Sequence, residues 1–324
     1  MMSSDTSQIT RVSTDSKLFA FSRWDAVPVI FGILHGVYVV GMFLAFNHVP
    51  WWCNAILGII YAYSIAWNVN GISHNFIHNP YFRSNFLNRM FSLLESLTMG
   101  FSQLFYDYVH MRHHMGNSDR KDESGDTVDW ISIYRYSKTD KAENVWSYFL
   151  LSFFRDDAVM YFKEIYKKSP FDAYWGLFEI VSFVLLYAVA FVLNWKFMVF
   201  FLPCWYLGQS LSALNGYYRH WGGNPDIPMA WGVSSYDKFY NWTWFNNGYH
   251  AEHHYRPRIH WTKMHELHEE IKDEQKRVGV RVIGPMHVFG FLAPPPVEPE
   301  SAAAATVPIP SKSESKKDLV ESRR

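Results

Sequence analysis

The sequence predicts an all-α membrane protein, with four transmembrane helices in two hairpins beneath a cytoplasmic helical cap that carries clustered histidines. Three observations predict it. Four apolar stretches, at about 27–47, 51–70, 174–193 and 196–214, each approach the ~20 residues a helix needs to cross a bilayer, and none has an interior Lys or Arg. Very short links, His48-Val49-Pro50 and Asn194-Trp195-Lys196, join them in pairs, so each pair crosses and returns. Histidine also recurs at helical spacing: His74 and His78 at i, i+4, and two triplets at i, i+3, i+4, His110/His113/His114 and His250/His253/His254. Such spacing aims each set of imidazoles from one face of a helix.

Composition narrows the class further. The 324 residues are 49% hydrophobic and 19% aromatic, with 30 Lys+Arg against 30 Asp+Glu. That balance argues against nucleic acid as a partner, which would call for a basic surplus. The 14 Trp and 20 Tyr suit a protein with membrane–water interfaces. Only Cys53 and Cys204 are present, so neither a disulfide framework nor a cysteine zinc site can be built. Any metal would be held by histidine.

Residues 1–26 form a polar N-terminal segment without the basic and apolar regions of a cleaved signal. The catalytic domain is expected over 27–290. His35, inside the first apolar stretch, reads as a satisfied core histidine. With two hairpins, the N-terminus, residues 71–173 and residues 215–324 fall on one side. Of the 30 Lys and Arg only Lys196 lies at the far links, which makes the loaded side cytoplasmic by the positive-inside bias. Every histidine cluster is on that side. Residues 86–105, apolar but broken by Arg89, Glu95 and Gln103, read as a helix lying against the membrane or dipping partly in, leading into the 110–114 cluster. Residues 143–168 mix aromatics with Arg155, Lys163, Lys167 and Lys168 and suit either an interfacial amphipathic helix or a packing helix of the cap. Residues 261–277 read as a charged surface helix whose His265 and His268 are solvated. Pro294-Pro295-Pro296 opens an Ala/Pro/Ser/Lys-rich tail, with 291–324 expected to be disordered.

The candidate metal ligands are therefore His74, His78, His110, His113, His114, His250, His253 and His254, with His220 a ninth. One zinc takes four ligands at most, so this number suits two metals. Imidazole is compatible with Zn, Cu, Fe or Ni, and ligand type alone does not choose. Glu252 lies inside the last triplet, and Asp119, Asp122, Glu123, Asp126 and Asp129 follow the middle one. Such carboxylates either orient ligating imidazoles from behind or form a solvated loop.

His74-x3-His78, His110-x2-His113-His114 and His250-x2-His253-His254 resemble the three histidine boxes of the membrane fatty acid desaturase and hydroxylase superfamily. The run Asn247-Gly248-Tyr249-His250-Ala251-Glu252-His253-His254 is similar to the third box of acyl-lipid and sphingolipid desaturases. The resemblance covers about residues 27–270. It implies two irons per chain held almost wholly by histidine, O2 as co-substrate, and an acyl-chain or lipid substrate threaded between the spans. Stearoyl-CoA-type desaturases have four intervening residues in the first box, against three here, and an Asn-x3-His element whose nearest equivalent is Asn215-x4-His220. Asn215 is thus a further site candidate. No His-Pro-Gly-Gly haem motif is present, so electrons are expected from a separate donor of ferredoxin, rubredoxin or cytochrome b5 type.

Within that chemistry the boxes do not separate desaturation from hydroxylation or from oxidative decarboxylation to a terminal alkene. A membrane zinc hydrolase acting on lipid amides would need three histidines and leave most of the others unexplained. A metal transporter would place its ligands within the spans. Gly58, Ala62, Gly208 and Ala213 either line an acyl pocket or let the helices pack closely.

Overall fold

The computed structural model describes residues 16–296. Among these residues, four helices are long and apolar enough to cross a membrane: Arg23–Ala45, Trp51–His78, Pro170–Leu193 and Trp195–His220. Their α-helical parts are α1 (Ala26–Ala45), α2 (Trp51–Asn68) with its continuation α3 (His74–His78), α8 (Pro170–Leu193) and α9 (Trp195–His220). Between α1–α3 and α8 run α4 (Asn85–Met99), α5 (Gln103–Gly116), α6 (Val145–Leu151) and α7 (Ala158–Lys168). After α9 come α10 (Lys238–Thr243), α11 (His250–Tyr255) and α12 (Met264–Arg277). Pairing between extended segments is confined, among the described residues, to two isolated bridges, Phe19–Phe82 and Ser234–Val282.

The long helices face outward with apolar side chains. Val37, Val40 and Leu44 of α1 and Leu185, Val189 and Val192 of α8 are all exposed, a girdle suited to lipid rather than water. Trp51, Trp52 and Trp195 stand exposed at the two hairpin tips, where amphipathic rings favour the interface. Where α2 meets α9, small residues decide the approach. A Cβ on Gly208 would lie 2.7 Å from Ile65 Cδ1 and 2.9 Å from the Ala62 carbonyl, and one on Gly58 would lie 2.7 Å from Cys204 Sγ. Close backbone packing, not an acyl pocket, is therefore what Gly58 and Gly208 provide.

Two of the long apolar helices run further than their hydropathy suggests. α2 does not stop near residue 70. It passes through a π-helical turn, Val69–Ser73, into α3, so His74 and His78 sit on the end of the same helix. The polar residues Asn68, Asn70 and Ser73 lower the apolar signal there, yet all three are buried and hydrogen-bonded within the protein. α9 likewise continues from the apolar stretch to His220. Conversely, residues 86–105 are two helices. Gly100 ends α4 in the left-handed region (φ 72°), and the Ser102 side chain caps α5. The 143–168 region is also broken, by a 3-10 turn at Ser152–Arg155 and a new cap at Asp157.

Glu179, inside the third apolar stretch, fixes this arrangement. Its carboxylate accepts from Ser92 Oγ (2.5 Å), Trp175 Nε1 (2.9 Å), Ser102 Oγ (2.7 Å) and the Leu104 amide (3.0 Å). Four donors satisfy a carboxyl group that would be costly unpaired in an apolar setting, and they tie α8 to α4 and to the start of α5. His35 is satisfied too, by Ser64 and Asn68. Residues upstream of 27 already join the fold: Ala20 donates to the Tyr81 carbonyl, and buried Asp25 accepts from His260 and Trp261. Most of the sequence-expected polar segment 1–26, and of the tail 291–324, lies outside the described residues.

Candidate metal centre

The histidines arrive from four elements. α3 brings His74 and His78, α5 brings His110, His113 and His114, the last residue of α9 is His220, and α11 brings His250, His253 and His254. They assemble as a group of five (His74, His78, His110, His114, His253) and a group of four (His113, His220, His250, His254). Within each group the nitrogens lie within 4.8 Å of one another. Each triplet is split between the groups. The i, i+4 pair His110/His114 joins the first while His113 turns to the second, and His250/His254 join the second while His253 turns to the first. The two short helices thereby lock the groups side by side.

The nitrogens crowd in a way protons cannot satisfy. His114 Nε2 lies 3.0 Å from His110 Nε2 and 3.1 Å from the Nε2 atoms of His78 and His253. His250 Nε2 lies 3.0 Å from His220 Nε2. A neutral imidazole has one N–H and one lone pair, so His114 Nε2 can share a proton with one neighbour at most. Opposed lone pairs in a buried cavity call for a cation between them. Protonating the rings is disfavoured: burial first, and then repulsion from neighbouring charges, holds His110, His114, His250, His253 and His254 well below the usual histidine range. Neutral, converging, water-excluded imidazoles fit two metal ions, one per group, and the number of donors exceeds what a single zinc takes.

Partners behind the rings set their tautomers in the group of four. His113 Nδ1 is 2.6 Å from Asp129 Oδ2, His254 Nδ1 is 2.7 Å from Asn117 Oδ1, and His220 Nδ1 is 3.2 Å from the Trp231 carbonyl. Carboxylate and carbonyl oxygens accept, so each Nδ1 carries the proton and each Nε2 lone pair points inward. Asn117 is also the left-handed residue that ends α5 (φ 53°), its amide bonded to the His113 carbonyl at 2.6 Å. One residue thus terminates the helix and orients a ring from α11.

Among the five acids after the middle triplet, the structure separates roles. Asp129 is fully buried, holding His113, the Ser118 amide and the Ile131 amide. Asp119 holds the Val128 and Asp129 amides and so shapes the loop. Asp122, Glu123 and Asp126 are solvent-exposed. Glu252 is buried but faces away from the box imidazoles. It accepts from Ser234 Oγ (2.7 Å), Tyr236 Oη (2.8 Å) and His268 Nδ1 (2.7 Å), anchoring α11 to α12. His268 is therefore not a freely solvated histidine, and His265 stands 3.1 Å from Tyr249 Oη. Asn215 is buried, and among the described residues neither polar atom of its amide has a hydrogen-bond partner.

Three contributors escape sequence reasoning. Asn117 and the Trp231 carbonyl carry no motif at all. His287 is fully buried, bonded to Tyr240 Oη and the Val233 carbonyl at 2.9 Å each, with its ring 6.2 Å from that of His250. Its only sequence signal was its residue type.

The fatty acid desaturase family profile matches residues 50–284. A curated relative, the sphingolipid delta(4)-desaturase DES1-like protein of Arabidopsis thaliana, is 26% identical over 231 residues, which are 68% of this chain. The match spans 64% of that relative's length. No solved structure matches the chain.

Proposed function

The chain belongs to the fatty acid desaturase family, and on that premise we propose that it is a membrane-bound oxidoreductase that desaturates the acyl chain of a fatty acid or lipid with O2 and electrons from a separate donor. The observation that carries this reading is the convergence of nine histidines in groups of five and four at one end of four apolar helices. One O2 takes two vicinal hydrogens from the chain, and two electrons and two protons from outside, leaving an alkene and two waters.

In this reading His74, His78, His110, His114 and His253 hold one iron and His113, His220, His250 and His254 the other. Two irons so held would supply the O2 activation needed to break an unactivated C–H bond. The chain's own residues do the rest. Asp129, Asn117 and the Trp231 carbonyl keep the Nε2 lone pairs aimed inward. Glu252, through Ser234, Tyr236 and His268, holds α11 in place. Burial of the cage excludes water that would divert the reaction. The four long helices cross the bilayer, with the cage on the cytoplasmic side and the catalytic domain spanning 27–290. The electron donor is of ferredoxin, rubredoxin or cytochrome b5 type.

Hydroxylation or oxidative decarboxylation would use the same centre. Purified protein supplied with O2, an electron-donor system and labelled acyl substrate distinguishes them by mass spectrometry. A product lighter by two hydrogens supports desaturation. A product heavier by one oxygen, loss of carbon dioxide, or turnover without O2 would each overturn it.

A further inference from the structure

Arg219, the residue before His220, carries a charge deep inside the protein. It is 4% exposed, and an arginine does not shed its proton. Among the described residues no carboxylate pairs with it. Its Nη2 donates to the Asn70 carbonyl (3.4 Å), and the phenol of Tyr240 lies beside it. A buried cation with only neutral partners is costly, so stability alone does not account for its presence.

The neighbours of Arg219 set it between the two histidine groups. The Asn70 carbonyl also accepts from Asn247 Nδ2, so the guanidinium meets both the π-helical turn before His74 and the segment before His250. Tyr106 of α5, a second neighbour, has its ring 5.6 Å from that of His110 in the group of five. Tyr240 of α10 is bonded through Oη to His287 Nδ1, and the His287 ring lies 6.2 Å from that of His250 in the group of four. The Arg219 charge accordingly bears on His74 and His253 of one group and on His220 and His250 of the other.

The charges around the cage do not balance. Nine neutral imidazoles bring nothing to offset two divalent metals, and the group of five is made of imidazoles alone. Asp129 stands behind His113 in the group of four, and Glu252 faces its own three donors, away from the rings. Arg219 adds positive charge where a buried, low-dielectric setting strengthens it. A fixed cation near a metal opposes loss of an electron from that metal, favours gain of one, and repels the metal itself.

Resting on the desaturase reading, we propose that Arg219 is a positioning residue that sets the reduction potential of the centre: its fixed charge, held between the two histidine groups, makes both metals easier for the separate donor to reduce. Each electron that leaves the donor takes one iron from the ferric to the ferrous state, and Arg219 neither gives nor takes a proton. The same charge loosens the cage's hold on its metals, which the number of imidazole donors offsets.

The test compares full-length wild type in lipid nanodiscs with Arg219→Gln and Arg219→Met, which remove the charge, and Arg219→Lys, which keeps it. Zinc-loaded protein comes first, because zinc has no redox chemistry of its own. Removing half the zinc should need about tenfold more chelator in the Gln and Met variants, and an amount within about threefold of wild type in the Lys variant. A residue needed only for packing would act in the opposite direction, with zinc lost at lower chelator. Iron-loaded protein is then titrated against redox mediators. At the wild-type midpoint the ferric-to-ferrous ratio should be about tenfold higher in the Gln and Met variants, a fall of about 59 mV for a one-electron couple. Easier loss of zinc from both neutral variants, failure of both to fold, or an unchanged potential would each overturn the proposal. Tighter zinc and a lowered potential in a protein that oxidises no acyl chain would instead sink the desaturase reading and leave the role of Arg219 standing.

Discussion

Asp129 Oδ2 lies 2.6 Å from His113 Nδ1, joining a loop carboxylate to a ring on α5 sixteen residues earlier. The same oxygen accepts the Ser118 amide at 3.0 Å, so the contact also closes the 117–129 loop around the end of the helix. An acid placed behind a converging imidazole fixes its tautomer and raises its basicity.

Asp129→Ala should therefore weaken metal retention about 10–100-fold, with Asp129→Asn weakening it less. Chelator competition on the purified protein measures this. Equal retention by the alanine variant and the wild type would remove Asp129 from the site.

His268→Ala should lower the midpoint of thermal unfolding without changing bound metal, because buried Glu252 loses one of its three donors. The expected cost is about 1–3 kcal/mol. His265→Ala, at an exposed ring, should cost less. If His268→Ala instead lost a metal ion, its assignment as an anchor of α11 would be wrong.

Burial pushes the Glu95 carboxyl up to about 7, with hydrogen bonds from Asn68 and Ser73 only partly opposing it. The folded state thus binds a proton that the unfolded state releases near 4.5. Stability from this group falls as pH rises from about 4.5 to about 7 and is level above that. Glu95→Gln should flatten that slope and gain on the order of 3 kcal/mol above pH 7. Thermal melts across pH 5–8 test it, and parallel curves for the two proteins would refute it.

In a background with Cys53 and Cys204 replaced by Ser, His48→Cys should react with an impermeant thiol reagent added outside cells. Glu123→Cys, on the exposed acidic loop, should react only after permeabilisation. The opposite pattern would turn the cage to the other face of the membrane.

The helical class and the histidine spacing were legible in the sequence because both are local periodicities. The division of labour inside the site was not, because it depends on contacts across long sequence separations. Asp129 and Asp122 look alike in the chain; only the turn at Asn117 and Ser118 puts the first against His113. His268 looks solvated on a charged helix until α11 brings Glu252 against it from sixteen residues away. The end of α2 is read too early because Asn68, Asn70 and Ser73 are polar, although each finds its partner inside the protein. Gly58 and Gly208 fitted two readings, and the side chains opposite them decided for packing.

The central claim is a two-metal centre held by nine histidines, and elemental analysis of protein purified without added chelator tests it most directly. The account predicts about two irons per chain in the wild type and about one in His220→Ala, which removes a donor from the group of four while leaving the group of five intact. One zinc per chain, or an unchanged iron count in His220→Ala, would contradict it.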